Sequence, residues 1–371
     1  VTDDDLELLD ELAAAPEAVA VGETGLDYYK NKAPKDAQRE VFRRQLAIAA
    51  RHGKPVVVHS RDAKDEALRI MEPFVREGLT GVLHCFSGAP ELARQALDLG
   101  LCISFTGIVT FPNAKTLAET VRAVPIERTL IETDCPFLAP QRWRGKRNEP
   151  AYVVAVAERL AELHGLTAAD VARITTHNAR TLFGLEGLMD EGQIAYPIRN
   201  SLYLNITNRC SNACAFCVRY QTPYVKGHNL RIEHDPSVEE IVAAVGDPSG
   251  YDEVVFCGYG ESTVRYDAMM ESARRLRERG AKKLRLDTNG HGCLNTHDPE
   301  HYKTICRPVN TEADAHAAVC DFIRELSKKM PEGAVTATAL EGLPGVDIEK
   351  TKALAESLGA VFRARHYNVT G

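Results

Sequence analysis

Between Val19 and Asp134 the chain alternates short apolar runs with amphipathic stretches. The order is AVAVGETG, a helix from about Pro34 to Arg51, GKPVVVHS, a helix, GVLHCFSG, a helix, LCISFTG, a helix, and RTLIETD. This βα grammar is that of a parallel sheet or barrel. The runs close on polar residues: Glu23, His59, Ser87 after His84, and Asp134. Two more helices are expected in AYVVAVAERLAELHG and TAADVARITTHNARTLFG, the second opened by Thr167 and stopped by Gly184.

A chain of 371 residues exceeds the size at which one hydrophobic core keeps growing, so two domains are expected. The stretch from Gly187 to Asn200 mixes Gly, Pro and charges without periodicity and reads as a linker, giving domains over residues 1–187 and 200–371 joined by 188–199. A second βα series follows: SLYLNIT, a loop, the helix SVEEIVAAVGD, the strand and glycine turn DEVVFCGYGE, the helix YDAMMESARRLRERG, and the strand KKLRLDTNG.

The net charge of −7 gives no global attraction to polyanions, so a nucleic-acid contact would need a local basic patch. The sequence holds no run of about 20 apolar residues and no secretory signal pattern in its first thirty, so no membrane association and a cytoplasmic location are expected. Ten cysteines are too few for a disulfide scaffold. Three of them, Cys210, Cys214 and Cys217, are spaced C-x3-C-x2-C with Phe216 before the last. Three thiolates on one loop after a strand leave one iron of a 4Fe–4S cluster without a protein ligand, whereas electron-transfer clusters usually use four cysteines. The alternatives are a zinc site, for which His228 is the nearest further ligand, and coincidental proximity.

These residues resemble the radical-SAM superfamily, whose pattern matches Cys210, Cys214, Phe216 and Cys217. The resemblance implies a 4Fe–4S cluster that binds S-adenosylmethionine and, on receiving an electron from a donor such as flavodoxin or ferredoxin, cleaves it to a 5′-deoxyadenosyl radical. The glycine turn Gly258-Tyr259-Gly260-Glu261 stands where the family places its contact to the methionine amine, with small residues permitting close approach, although it departs from Gly-Gly-Glu-Pro. By the same resemblance Asp287 and Asn289 are candidates for the ribose hydroxyls, the alternative being a strand that ends in an Asn-Gly turn. The segment from Gly290 to Glu300 is too short and too rich in glycine and polar residues for the helix and strand that the rhythm requires, since a crossover needs about 10–12 residues. One αβ unit is therefore expected to be missing, with Cys293-Leu294-Asn295 resembling the end of the absent strand. The closing portion, AVTATALEGLPGVDIEKTKALAESLGAVFRARHYN, reads as strand, loop, helix and strand, and resembles radical-SAM proteins linked to or fused with TatD-type nucleases.

Residues from about Val19 to Leu185 resemble the TatD family of metal-dependent hydrolases through GETGLDYY, VVVHSRDA, GVLHCFSG, ISFTGIVTF and LIETDCPFLAP. The resemblance implies a (β/α)8 barrel, with Glu23, His59, His84 and Asp134 as ligands to divalent ions such as Mg, Mn or Zn and DNA or a nucleotide as substrate. Glu23 would bridge two ions and Asp134 would accept the proton of an attacking water. Cys85 and Cys135 read as buried core thiols. The chain starts at Val1, inside an acidic helix and after the point where the family carries its His-x-His pair. As written it is expected to complete at most one ion site and to be inactive or weak as a nuclease.

The expected fold is thus α/β, with an incomplete TIM-like (β/α)8 barrel followed by a partial radical-SAM (β/α)6-type barrel. The expected function is a bifunctional hydrolase and radical-SAM enzyme. The alternatives are a radical-SAM enzyme on a non-catalytic TatD-like scaffold, and an electron carrier or redox sensor.

Overall fold

The computed structural model describes residues 1–30, 32–185, 191–289, 294–309 and 314–366. The contacts divide the chain into two compact units, Val1–Met189 and Asp190–Gly371. Among the described residues no helix is long and apolar enough to cross a membrane.

The first unit runs α1 (Asp3–Ala13), β1 (Val21–Asp27), α2 (Lys35–Arg51), β2 (Val56–Arg61), α3 (Lys64–Arg76), β3 (Gly81–Leu83), α4 (Pro90–Asp98), β4 (Cys102–Phe105), α5 (Lys115–Ala123), β5 (Thr129–Ile131), α6 (Val153–His164) and α7 (Ala168–Leu182). The five strands form one parallel sheet in sequence order, as right-handed helical crossovers between adjacent strands require. The apolar faces of the helices meet the sheet in one core that includes Leu26, Phe42, Leu46, Met71, Ile103 and Phe105, all fully buried. The helix ends carry their own signals. Thr167 accepts from Asp170 N at 3.1 Å while the Asp170 carboxylate accepts from Thr167 N at 3.1 Å, a reciprocal cap on α7. A similar box built on Thr2 caps α1.

The second unit runs β6 (Ala195–Ile198), β7 (Ser201–Leu204), β8 (Tyr224–Val225), β9 (His228–Asn229), α8 (Val238–Val245), β10 (Glu253–Phe256), α9 (Tyr266–Glu278), β11 (Leu284–Leu286), α10 (Pro299–Cys306), α11 (Ala315–Lys329), β12 (Thr336–Glu341), α12 (Ile348–Ser357) and β13 (Val361–His366). Its main sheet has the order β11-β10-β7-β6, parallel except for β6. Strands β12 and β13 pair with each other in a separate two-stranded parallel sheet. Among the described residues neither helix nor strand lies between β11 and α10; Gly290 to Cys293, the centre of the expected gap, lie outside the described residues.

Strand β6 corrects the expected linker over 188–199. It forms the antiparallel edge of the main sheet through a tight hairpin at Arg199-Asn200, where Arg199 takes φ 55°. The turn lacks glycine and the strand contains Pro197, which is tolerated on an edge, so neither usual signal was present.

This unit has two cores. One joins β7 and β10 to α8 and α9 through Leu204, Ile206, Ile241, Val254 and Leu276. The other gathers α10, α11, β12 and α12 around Tyr302, Ile305, Cys306, Val319 and Ala355. Fully buried Asn205 ties the first core to the loops above it. Its Nδ2 donates to Gln193 O and Leu230 O at 3.0 and 2.7 Å, and its Oδ1 accepts from Tyr259 N at 2.8 Å. The turn after β10 lies directly on the backbone that continues β7. A Cβ at Gly258 would sit 2.5 Å from Asn205 Cα, and one at Gly260 would sit 2.3 Å from Arg209 O and 2.5 Å from Thr207 O. The close approach that these glycines permit is therefore to the protein's own main chain.

Since rigid carbonyls cannot retreat as side-chain tips do, Gly260→Ala is expected to destabilise the second unit by about 1–3 kcal/mol. Gly250→Ala, where a Cβ would meet nothing within 4 Å, is expected to change stability by less than about 0.5 kcal/mol. Urea unfolding of the two variants side by side checks the difference.

Candidate functional site

Polar groups collect where the strands of the first unit end. Glu23 and His59 are not at the strand ends expected for them. They lie inside β1 and β2, and an irregularity between Gly22 and Thr24 takes Glu23 out of the pairing register. That bulge turns the carboxylate toward the residues above the later strands. His84 follows β3 directly and Asp134 stands three residues beyond β5.

The structure brings all four together. Glu23 Oε1 lies 2.7 Å from His59 Nδ1 and 3.7 Å from His84 Nε2, and Asp134 Oδ1 lies 3.8 Å from His84 Nε2. Ligand atoms of Glu23, His59 and His84 all fall within 4.8 Å of one another, and so do those of His84, Cys85 and Asp134. Hydrogen bonding to His59 holds the Glu23 carboxyl below its usual range. Burial raises Asp134 above its own. Cys85 behaves as a thiol: its Sγ lies 3.5 Å from Thr106 Oγ1 and burial pushes its pKa up to about 11. Cys135, expected in the core, is exposed.

One group of this site escaped the sequence reading. Glu132 Oε2 lies 2.5 Å from His84 Nδ1, while its Oε1 accepts from Cys85 N at 2.8 Å and Ser104 Oγ at 2.5 Å. Burial opposes the charge on Glu132, but His84 and these donors outweigh it and keep the carboxyl below its ordinary range. The same pairing raises His84 against the opposing effect of its own burial. A carboxylate on Nδ1 fixes that proton and leaves Nε2, which faces Glu23 and Asp134, as the atom able to ligate an ion. The signal was the first acidic residue in LIETD, which read as part of the strand.

In the second unit the sequence-predicted residues surround the loop after β7. The Cys210, Cys214 and Cys217 thiols are half-buried and free. Asn212 N and Asn289 Nδ2 donate to Cys210 Sγ at 3.5 and 3.4 Å. Burial raises the Cys210 and Cys217 thiols, partly offset by the Arg219 cation. Among the described residues the three sulfurs are not in a group with all ligand atoms within 4.8 Å. Tetrahedral zinc at about 2.3 Å would need its ligands inside that spacing, so the loop suits a larger, multi-iron group. Both Cys214 and Phe216 pack on the core around α10 and α11.

Residues expected to contact S-adenosylmethionine are mainly engaged with the protein. Buried Glu261 accepts from Thr263 N at 3.0 Å, Thr288 Oγ1 at 2.8 Å and Asn289 N at 2.7 Å. Asn289 Nδ2 also donates to Ser211 Oγ at 3.2 Å. These two side chains lace the turns after β10 and β11 to the cysteine loop. Tyr259 does the same through its hydroxyl, which donates to Arg219 O at 2.8 Å. Asp287 is half-buried, 3.5 Å from Arg285. His228, which read as a loop residue and a possible zinc ligand, is buried in β9 with Nδ1 2.6 Å from Gln193 Oε1 and Nε2 2.9 Å from Pro197 O. Both ring nitrogens are used, so it is no ligand.

A model of the TatD related DNase family matches residues 1–184, and a Radical SAM superfamily model matches residues 204–305. The metal-dependent hydrolase YabD of Bacillus subtilis is 48% identical over 183 residues, which cover 49% of this chain and 72% of YabD. The metal-dependent hydrolase YcfH of Escherichia coli K12 is 47% identical over 182 residues, covering 49% of this chain and 69% of YcfH. The 3′-5′ ssDNA/RNA exonuclease TatD of Escherichia fergusonii is 39% identical over 184 residues, covering 48% of this chain and 71% of its own length. Through its first unit the chain belongs to the TatD-related DNase family of metal-dependent hydrolases, and it carries a radical SAM domain at residues 204–305.

Proposed function

We propose that the chain is a bifunctional enzyme, a divalent-metal-dependent phosphodiesterase joined to a radical S-adenosylmethionine enzyme. The observation that carries this reading is that Glu23, His59, His84 and Asp134 gather their ligand atoms on and just past the parallel strands of the first unit, while the three cysteines of the second lie on the loop after its strand β7.

In the first unit Glu23, His59 and His84 hold a divalent ion, with Glu132 fixing His84 for the task. Such an ion supplies Lewis-acid polarisation of a phosphoryl oxygen and a more acidic water. Asp134, raised by burial, receives the proton of that water. The exonuclease likeness supports a single-stranded nucleic acid or its nucleotide products as substrate.

In the second unit Cys210, Cys214 and Cys217 hold a 4Fe–4S cluster and leave one iron open to S-adenosylmethionine. The cluster supplies a single low-potential electron, obtained from a partner such as flavodoxin or ferredoxin. The turn Gly258 to Glu261 would lie on the side of S-adenosylmethionine, and Asp287, half-buried beside Arg285, would offer its carboxylate to the ribose. The separate β12–β13 sheet supports reading this unit as a six-strand βα barrel lacking one αβ unit, and the first unit's five parallel strands support an incomplete eight-strand barrel.

Two expected outcomes test the reading. Anaerobic reconstitution should give about four iron per chain and release 5′-deoxyadenosine and methionine when dithionite and S-adenosylmethionine are added; Cys217→Ala should abolish both. A reconstituted cluster that yields no 5′-deoxyadenosine makes the unit an electron carrier. For the first unit, titration with Mn or Zn should show a bound ion, and Glu132→Gln should weaken its affinity about 10–100-fold while thermal stability is largely kept. If the wild-type chain binds no divalent ion, the unit is a scaffold and not a hydrolase.

A further inference from the structure

Cys306 belongs to none of the motifs above, yet it faces the cysteine loop. The end of α10 and the residues after it bond to the cysteine loop over 211–215. Val309 N donates to Ser211 O at 2.9 Å, Ala213 N to Arg307 O at 3.0 Å and Ala215 N to Ile305 O at 2.9 Å, and Asn212 forms a bridge with Pro308. This register sets Cys214 directly opposite Cys306. Cys306 ends α10, and the bonds to Ile305 O and Arg307 O on either side of it bracket Cys214 on the loop. Cys214 packs against the core to which Cys306 belongs. Cys306 is fully buried, and Asn295 Nδ2 donates to its sulfur at 3.5 Å. As a cluster ligand Cys214 is a thiolate and carries no proton, so Cys306 is the one of the pair with an S–H to donate.

We propose that Cys306 is a positioning residue of the iron–sulfur centre, whose S–H donates to the sulfur of the cluster ligand Cys214 and raises the potential at which the cluster accepts its electron. The inference rests on the reading of Cys210, Cys214 and Cys217 as cluster ligands. Reduction adds negative charge that spreads onto the ligand sulfurs, and a hydrogen bond to such a sulfur favours the reduced form. Burial away from water keeps this donor from exchanging with solvent and strengthens its effect. Asn289 Nδ2 acts in the same sense on Cys210, so two of the three ligands have a neutral donor built into the fold.

The test uses the full chain reconstituted anaerobically as wild type, Cys306→Ala, Cys306→Val and Cys306→Ser, with the midpoint potential read by EPR-monitored titration. Iron and sulfide contents are expected to be equal in all four. The two donor-free variants should reduce about tenfold less favourably, a fall of about 59 mV for one electron. Cys306→Ser keeps a hydroxyl donor and should recover most of that fall. Valine fills the volume that alanine vacates, so one donor-free variant remains if the other does not fold. An unchanged midpoint in either donor-free variant with an intact cluster overturns the proposal, as does a serine variant that falls as far as alanine. Loss of iron on removing the thiol also overturns it, making Cys306 a ligand. A wild-type chain that holds no 4Fe–4S cluster removes the cluster reading itself, and this inference with it.

Discussion

The short pairing between the cysteine loop and residues 305–309 holds the second unit together as a site. The loop leaves β7, whose side chains belong to one core, and places Cys214 and Phe216 on the other core, built around α10 and α11. Three backbone hydrogen bonds fix the register of that crossing. Glu261 and Asn289 add a second set of ties, from the turns after β10 and β11 to the same loop. The loop's shape is therefore set from three directions before any iron arrives, which is the preorganisation that a cluster with only three protein ligands needs.

The first unit solves a different problem, that of keeping several carboxylates and two imidazoles close together. Glu132 is the most enclosed of the acids and has the fullest set of partners, His84 Nδ1, Cys85 N and Ser104 Oγ. Glu23 leans on His59. Asp134 has no donor of comparable strength and responds to burial by rising. The acids are thus sorted by their surroundings, one locked as a support, one paired, and one poised to take a proton.

Much of this was legible in the chain. The βα alternation marked β1 to β5 and the intervening helices because period-two and period-3.6 patterning survive in a single sequence. Thr167 marked the start of α7 because a cap is a local hydrogen-bond arrangement. The ligand candidates Glu23, His59, His84 and Asp134 stood beside recognisable apolar runs, and the cysteine spacing is itself local. Glu132 and Cys306 were not legible. Their roles depend on neighbours 48 and 92 residues away, His84 and Cys214, and on side-chain direction. Strand β6 was hidden because its hairpin uses Arg199 with a left-handed backbone where glycine or asparagine would have announced it.

By itself the sequence determined the α/β character, the division into a hydrolase-like and a cysteine-bearing half, and the identity of the thiols and carboxylates, since all of these follow from residue type and short-range period. Only the tertiary structure decided which groups meet. It turned Glu23 inward through a bulge, locked His84 with Glu132, spent Gly258 and Gly260 on the backbone of the β7 extension, and set Cys306 against Cys214. The reason is physical: contact between residues far apart along the chain depends on sheet order, register and core packing, and those are properties of the folded whole that no local pattern carries.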